Sequence, residues 1–232
     1  MINLDFGAVL QGQYLDWLIG GAFTSLGLFA ASWICAFALA VIIVALRALD
    51  FAPLEWVIAA YVNYHRNVPG LVQIFVWYFG VPELLPSSIT GFINEHNGEF
   101  IFALIALFLN AAAYMSEDLR SGLRSVATTQ MEAARALGLS YVQTMRDVML
   151  PQAIRVSVAP LVNQSLSLFK STSLAMAIGV AEMTYSSRQI ENETYRTFET
   201  FAIASIFYLV MSWTIMAVGA YCNNRHLQVK ER

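Results

Sequence analysis

The sequence predicts an all-α membrane protein of five transmembrane helices, with the N-terminus outside and the C-terminus cytoplasmic. Three observations carry that expectation. Of 232 residues, 58% are hydrophobic and only 12% charged, about half the charged fraction of an ordinary soluble domain. Charge-free tracts run to or beyond the roughly 20 residues that a helix needs to cross the hydrocarbon core. The basic residues, finally, gather on alternate flanks of those tracts.

The first span, 17–46, contains no charged residue between Trp17 and Leu46. It does not read as a secretory leader, because Met1 to Asp16 holds two acids and no Lys or Arg, and a leader's apolar core is about 7–15 residues. The second, 54–85, is broken by His65, Arg66, Asn67 and Pro69. It is either one tilted helix with a polar joint or a surface helix followed by a span. The third, 100–120, is apolar from Phe100 to Tyr114 except for Asn110, and closes on Glu117 and Asp118. The fourth, 152–181, starts after Pro151, passes Pro160 and turns polar beyond Phe169. The last, 198–222, is aromatic-rich and is followed by a basic tail.

Arg47, Arg66, Arg120, Arg124, Arg135, Arg146, Arg155, Arg225, Lys230 and Arg232 lie on one set of flanks, against only Arg188 and Arg196 on the other. Basic residues stay cytoplasmic, which places the C-terminus and the polar loop 121–151 inside. No repeat or low-complexity segment appears, so residues 1–232 read as a single transmembrane domain. Cys35 and Cys222 fall inside apolar runs and are expected as small buried hydrophobes rather than a disulfide or a metal pair. His65, His96 and His226 are scattered, so no metal cluster is expected. Trp17, Trp56, Trp77 and Trp213 suit interface anchoring or packing.

The loop has its own local chemistry. Thr129 to Glu132 reads as a capping box that starts a helix. Gly138 stands where a left-handed cap would stop that helix after two turns. Ser140 to Gln143 repeats the box and starts a second helix, which Pro151 hands on to the fourth span. The product is helix, glycine turn, helix. Such a unit is either a connector packed on its own domain or a docking element whose small Ala133-Ala134 surface fits a partner's groove.

Glu132-Ala133-Ala134, Gly138, Val148 and Leu150-Pro151 resemble the signature loop of ABC importer permease subunits, with Val148 where isoleucine is usual. Arg66-Asn67-Val68-Pro69 with Gln73 and Tyr78, and Lys170-Ser171-Thr172-Ser173-Leu174, resemble the polar amino acid uptake branch of that family. The run from Arg66 to Pro86 looks most like glutamate/aspartate and general L-amino-acid permeases. The resemblance implies a type I ABC importer permease fold with a cytoplasmic coupling helix, in a bacterial cytoplasmic (inner) membrane. It implies uptake of polar or acidic L-amino acids. Its partners would be a cytoplasmic ABC ATPase dimer, a second permease subunit (a homologous chain or a second copy) and an external or periplasmic substrate-binding protein, with no nucleic acid. ATPase coupling would fall to Glu132, Ala133, Ala134, Leu137, Gly138, Leu139, Tyr141, Leu150 and Pro151. ATP and Mg would belong to the partner ATPase, with no cofactor in this chain. Independently, no G-x-x-x-x-G-K-[ST] run occurs, and neither Lys170 nor Lys230 follows a glycine, so no phosphate loop is available.

Polar groups at membrane depth cost roughly 2.5–3.5 kcal/mol when ionised at a helix centre, so each needs a reason. Asn163, Ser167 and Lys170 are spaced i, i+4, i+7 on one helix face, with Thr172 just beyond. Lys170 either draws a substrate carboxylate, or pairs with Glu182 or snorkels to the interface. Arg66 either clamps a carboxylate or ties its segment to Glu117 or Asp118. Asn110 suits a helix-to-helix hydrogen bond. With Gln73, these residues are the candidates for the substrate path. No Ser/His/Asp set, H-E-x-x-H or paired intramembrane carboxylates appear, which argues against an enzyme. A channel or secondary transporter working without ATP is the competing reading, and broken helices at Pro69 and Pro160 would suit it.

Overall fold

The computed structural model describes residues 4–228, with side chains described for 4–223. The side chains of the basic tail (Arg225, Lys230, Arg232) and of His226 therefore lie outside the described residues. Among the described residues all regular structure is helical.

Helix α1 (Gly12–Arg47) buries Leu18, Gly21, Ser25, Leu28, Ser32, Ala36, Ala40 and Ile43. These positions recur every three or four residues, so the buried stripe is one helix face. It is built largely of small residues, which let helix backbones approach closely where lipid supplies no hydrophobic drive. Helix α6 (Gly98–Ser125) is the central element. It buries Phe102, Ala103, Ala106, Leu107, Ala111, Ala112, Ala113 and Met115 and packs against α1 on one side and α9 (Leu150–Ser171) on the other. Helix α11 (Thr197–Gln228) leans on α9 and α10 (Met183–Thr194) and leaves Ile206, Leu209, Val210, Trp213 and Met216 exposed. Among the described residues, three helices are long and apolar enough to cross a membrane: Gly12–Arg47, Gly98–Ser125 and Thr197–Asn223.

The second tract is broken, not continuous. Helix α2 (Ala52–Asn67) ends at the extended Val68, and α3 (Gly70–Phe75) starts after Pro69. Pro69 has no N–H to offer the carbonyl four residues back, that of His65. Two side chains replace the missing donor: Asn110 Nδ2 at 2.8 Å and Gln73 Nε2 at 3.0 Å. Gln73 also donates to Val68 O at 2.7 Å and sits 2.6 Å from His65 Nδ1. Beyond the joint, α3 runs through a π turn (Val76–Gly80) into α4 (Val81–Leu84), and a short α5 (Ser87–Glu95) leads on to α6. A second π turn (Met145–Met149) joins α8 (Tyr141–Thr144) to α9. In each case a proline, Pro82 or Pro151, stands two residues past the turn. The preceding amide bonds the carbonyl five residues back, Val81 to Val76 and Leu150 to Met145. Pro160, expected as a possible break, lies inside α9 without ending it.

A buried carboxylate holds α1, α10 and α11 together. Glu182 is fully buried and accepts hydrogen bonds from Ser25 Oγ (3.3 Å), Tyr208 OH (2.7 Å) and the Tyr185 amide (2.9 Å). Gly21 permits the approach, since a Cβ there would lie 2.6 Å from Ser186 Oγ and 3.1 Å from the Glu182 carbonyl. Glu182→Ala would leave the Ser25 hydroxyl and the Tyr185 amide without this acceptor, at about 1–3 kcal/mol each in a dry site and less in membranes, while Tyr208 OH keeps the Thr184 hydroxyl at 3.1 Å. The expected result is a loss of about 2–4 kcal/mol, read as a lowered melting temperature in detergent. Glu182→Gln keeps one acceptor oxygen and falls between, and an alanine variant as stable as the parent would refute the hub.

Four sequence expectations change here. Lys170 does not pair with Glu182, whose partners are all neutral donors. The third helix runs to Ser125, past 120, because Leu123 and Val126 pack on Met149 and Ala153. The Thr129–Glu132 capping box is absent: α7 (Thr128–Ala136) starts at Ala127 with no side-chain cap. Cys35 and Cys222 are exposed rather than buried.

Candidate functional site

The loop after α6 forms a compact projection. Helix α7 ends in a Schellman turn: the Gly138 amide donates to Arg135 O at 2.9 Å and the Leu139 amide to Ala134 O at 3.1 Å. These two bonds require a left-handed residue at Gly138, whose φ is +82°. Ser140 then caps α8 by the predicted box, with Gln143 N donating to Ser140 Oγ and Ser140 N to Gln143 Oε1. The turn throws hydrophobic side chains outward. Leu137 is 82% exposed, Val142 71% and Tyr141 52%, an apolar knob at a place where neither the family spacing nor the caps pointed to Val142. Val142 directly follows Tyr141 in the first turn of α8, after the Ser140 cap, and that adjacency is the signal that would have included it. Glu132, Ala133, Gly138, Leu150 and Pro151 are also exposed, and Leu139 is half-buried. Ala134 differs from expectation, for it is buried on the side of α7 that faces the body of the protein, and Met131 packs on Val126, Met149 and Ala153.

The second group of predicted residues is divided by the fold. Asn163, Ser167 and Lys170 share one exposed face of α9, as their spacing required, and line an open cleft of about 420 Å³ with Leu166, Ser171 and Leu174. Lys170 also borders a cleft of about 620 Å³ towards α11 that includes Ser173, Thr184, Ser205 and Tyr208. No acid pairs with Lys170 among the described residues. Thr172 is buried and bonds Phe169 O at 2.8 Å, and Gln73 and Asn110 are engaged at the Pro69 joint.

Arg66 is exposed at the end of α2. Its guanidinium lies over the Tyr114 ring, 5.5 Å from the centroid, at cation–π range, and Tyr114 OH donates to Arg66 O at 3.2 Å. Of the two acids expected to tie Arg66, Glu117 pairs with Arg47 instead and Asp118 is the one that acts on it. Arg47 also pairs with Glu55 at 3.2 Å, and Arg120 with Glu55 at 3.3 Å, which binds the ends of α1, α2 and α6 in one charge network. Asp118 stays beside Arg66, with the Gln164 amide near its carboxylate. Gln164 was outside the candidate set because it is one residue off the Asn163–Ser167–Lys170 stripe. No group of three His, Cys, Asp or Glu residues suited to a metal occurs among the described residues.

Residues 42–226 match the family described as binding-protein-dependent transport system inner membrane component. The chain is 31% identical over 227 residues to the glutamate/aspartate import permease protein GltJ of Escherichia coli (strain K12), covering 94% of this chain and 92% of that one. To the arginine transport system permease protein ArtQ of Bacillus subtilis it is 30% identical over 218 residues, 94% and 95% of the two chains. Its fold superimposes on a crystal structure of an amino acid ABC transporter with histidines at a TM-score of 0.84 and 27% identity, over 97% of this chain and 100% of that one. An inward-facing form of the MetNI methionine ABC transporter has the same fold at a TM-score of 0.74 and 18% identity, with 93% and 99% covered.

Proposed function

Since the chain belongs to the family of binding-protein-dependent transport system inner membrane components, we propose that this permease subunit carries polar L-amino acids, acidic ones among them, inward across the membrane. ATP hydrolysis belongs to a separate subunit, and the ATP-independent channel or secondary transporter is set aside. Relatives that carry glutamate/aspartate or arginine by name support the amino acid class. An exposed lysine without an acid partner among the described residues, on a polar helix face, supports acidic side chains within it.

The full assembly is two permease subunits, a cytoplasmic ATPase dimer and an external binding protein, in a bacterial inner membrane. Five crossings are the reading we favour: the three long apolar helices, the broken pair α2–α3 and helix α9. Helix α2 climbs along α6, with Glu55 at the level of Arg120, Tyr61 OH bonding Leu109 O and His65 O bonded by Asn110. A broken helix whose halves together make one crossing accounts for that ascent. An odd number of crossings with the basic loop inside puts the N-terminus outside.

The exposed knob of Leu137, Tyr141 and Val142 on the Gly138 turn carries the coupling reading. When ATP closes the ATPase dimer, the grooves that hold two such knobs approach one another, and α7 and α8 pass that displacement to α6 and α9. Glu132, Ala133, Leu139, Leu150 and Pro151 frame the contact, while Ala134 fixes α7 to its own domain. Leu137→Asp should lower the amount of ATPase recovered with the affinity-purified permease by roughly tenfold or more, with the permease still in the membrane. Undiminished recovery would remove the knob from the interface.

A further inference from the structure

Helices α1, α9 and α11 enclose an open apolar cleft of about 620 Å³ that the transport reading leaves unused. Its volume lies within the ~300–1,000 Å³ typical of small-ligand sites. Trp33 and Phe37 of α1 form one wall, their rings stacked 5.2 Å apart. Helices α9 and α11 meet at Gly219, where a Cβ would stand 2.4 Å from Val162 Cγ2. The polar side chains of the lining are spent on the protein itself. Trp33 Nε1 donates to Ser165 Oγ at 2.8 Å, Ser165 Oγ to Leu161 O at 2.8 Å and Thr214 Oγ1 to Val210 O at 2.9 Å. What the cleft offers a ligand is hydrocarbon, with the weakly polar Cys222 thiol at one end. Such a surface suits an acyl chain and not a polar solute.

The lining stretches are 29–37 of α1, 158–165 of α9 and 214–222 of α11. Each lies towards the end of its helix that adjoins Arg47, the coupling loop or the basic tail, the cytoplasmic end in the orientation proposed above. The cleft therefore opens into the inner half of the bilayer. On α9, Val158, Val162 and Ser165 point away from Asn163, Ser167 and Lys170, and the two clefts share no residue. A second permease that meets the polar face leaves the apolar one to lipid. Arg155 stands three residues before Val158 and seven before Val162, on their face of α9. It is half-buried, and no acid pairs with it among the described residues. A helical side chain leans towards the N-terminus of its helix, which carries this guanidinium to head-group level. We propose that the cleft binds an acyl chain of an anionic phospholipid of the inner leaflet, with Arg155 holding the phosphate. Guanidinium donors pair with phosphate oxygens, and basic sites between crossing helices on the cytoplasmic side suit anionic head groups.

The test uses the purified permease–ATPase complex in detergent, where neither leaflet nor transport enters, so its failure is distinct from a failure of the orientation or of the import reading. Phosphatidylglycerol and phosphatidylcholine with identical chains are added in equal amounts, and the lipids retained per complex are counted by native mass spectrometry. The parent should retain phosphatidylglycerol over phosphatidylcholine by roughly fivefold. Arg155→Gln should bring that ratio close to one. Ala30→Phe fills the cleft from an exposed position and should lower retention of both lipids by roughly fivefold or more. Gly20→Phe, on the same helix but with open space around its Cβ, should retain them as the parent does. A parent ratio near one overturns the site, as does a parental ratio in Arg155→Gln or undiminished retention in Ala30→Phe. Ile34 lines the cleft and is 64% exposed, and photo-reactive benzoylphenylalanine in its place should form adducts with phospholipid in membranes. An adduct with a second permease chain would give the cleft to that subunit and overturn the lipid site.

Discussion

Gly138→Val abolishes amino acid uptake while the protein still inserts and accumulates in the membrane. The expectation follows from the backbone. Gly138 has φ +82°, and a Cβ built there meets nothing within 4 Å, so the cost of a side chain is torsional and not steric crowding. For an ordinary L residue a left-handed conformation costs about 1–2 kcal/mol, and a β-branched residue adopts it only as an outlier. Valine therefore opens the Schellman turn, the two bonds to Arg135 O and Ala134 O are lost, and Leu137 and Tyr141 no longer face the same way. Of the buried clusters only the one at the base of the loop reaches α7, through Met131, so the membrane domain survives. Asparagine tolerates the left-handed region and should keep most of the uptake. Aspartate tolerates it as well, but sets a charge beside the apolar knob and should behave like valine. Uptake of labelled substrate into vesicles, with ATPase co-purification as the second readout, checks the series. Normal uptake by the valine variant would sink the coupling role of the turn.

The glycine was legible in the sequence because a single residue type satisfies a single torsional need. The helix it terminates was less so. Thr129 and Glu132 have the right spacing for a capping box, yet the chain enters α7 at Ala127, because Val126 is anchored against Met149 and Ala153. Tertiary anchoring overrode a local preference worth about 1 kcal/mol. The same contact carried the preceding helix beyond the charges where hydropathy ends it. Ser140 and Gln143, with no such anchor, formed the expected box. The breaks were legible where proline removes a donor, at Pro69, and Asn110 makes the helix-to-helix bond expected of it, but its target was not legible, since His65 lies 45 positions away. Lys170 and Glu182 looked complementary by charge, and the pairing failed because Ser25 and Tyr208, on two other helices, already occupy the carboxylate. Periodicity placed Asn163, Ser167 and Lys170 on one face correctly. For Arg66 the sequence offered two acids, Glu117 and Asp118, and only the fold, by giving Glu117 to Arg47, leaves Asp118 as the one beside it.

Gly122→Val separates α6 from α9 and with them both functional regions. A Cβ at Gly122 would stand 2.0 Å from Ser157 Oγ and 2.8 Å from the Ala153 carbonyl. The serine hydroxyl can rotate away, at the loss of its 2.9 Å bond to Ala153 O, but the carbonyl is the backbone of α9 and moves only if the helix does. Small residues at this crossing are what allows the two backbones to approach. Overpacking costs about 1–3 kcal/mol, and each kcal/mol corresponds to about 2–4 °C at this chain length, so the valine variant should melt roughly 2–12 °C below the parent in detergent. The displacement reaches in two directions along α9. Towards its start lie Met149 and Ala153, on which the base of the coupling loop rests. Further along lies Gln164, which faces Asp118, so uptake should fall more steeply than stability. Gly20→Val is the control: it lies on α1 with open space around its Cβ, and its melting temperature should match the parent. If Gly122→Val also melts with the parent, α9 can slide on α6 without loss. The α6–α9 contact could not then be the rigid link that carries motion from the loop into the transport path.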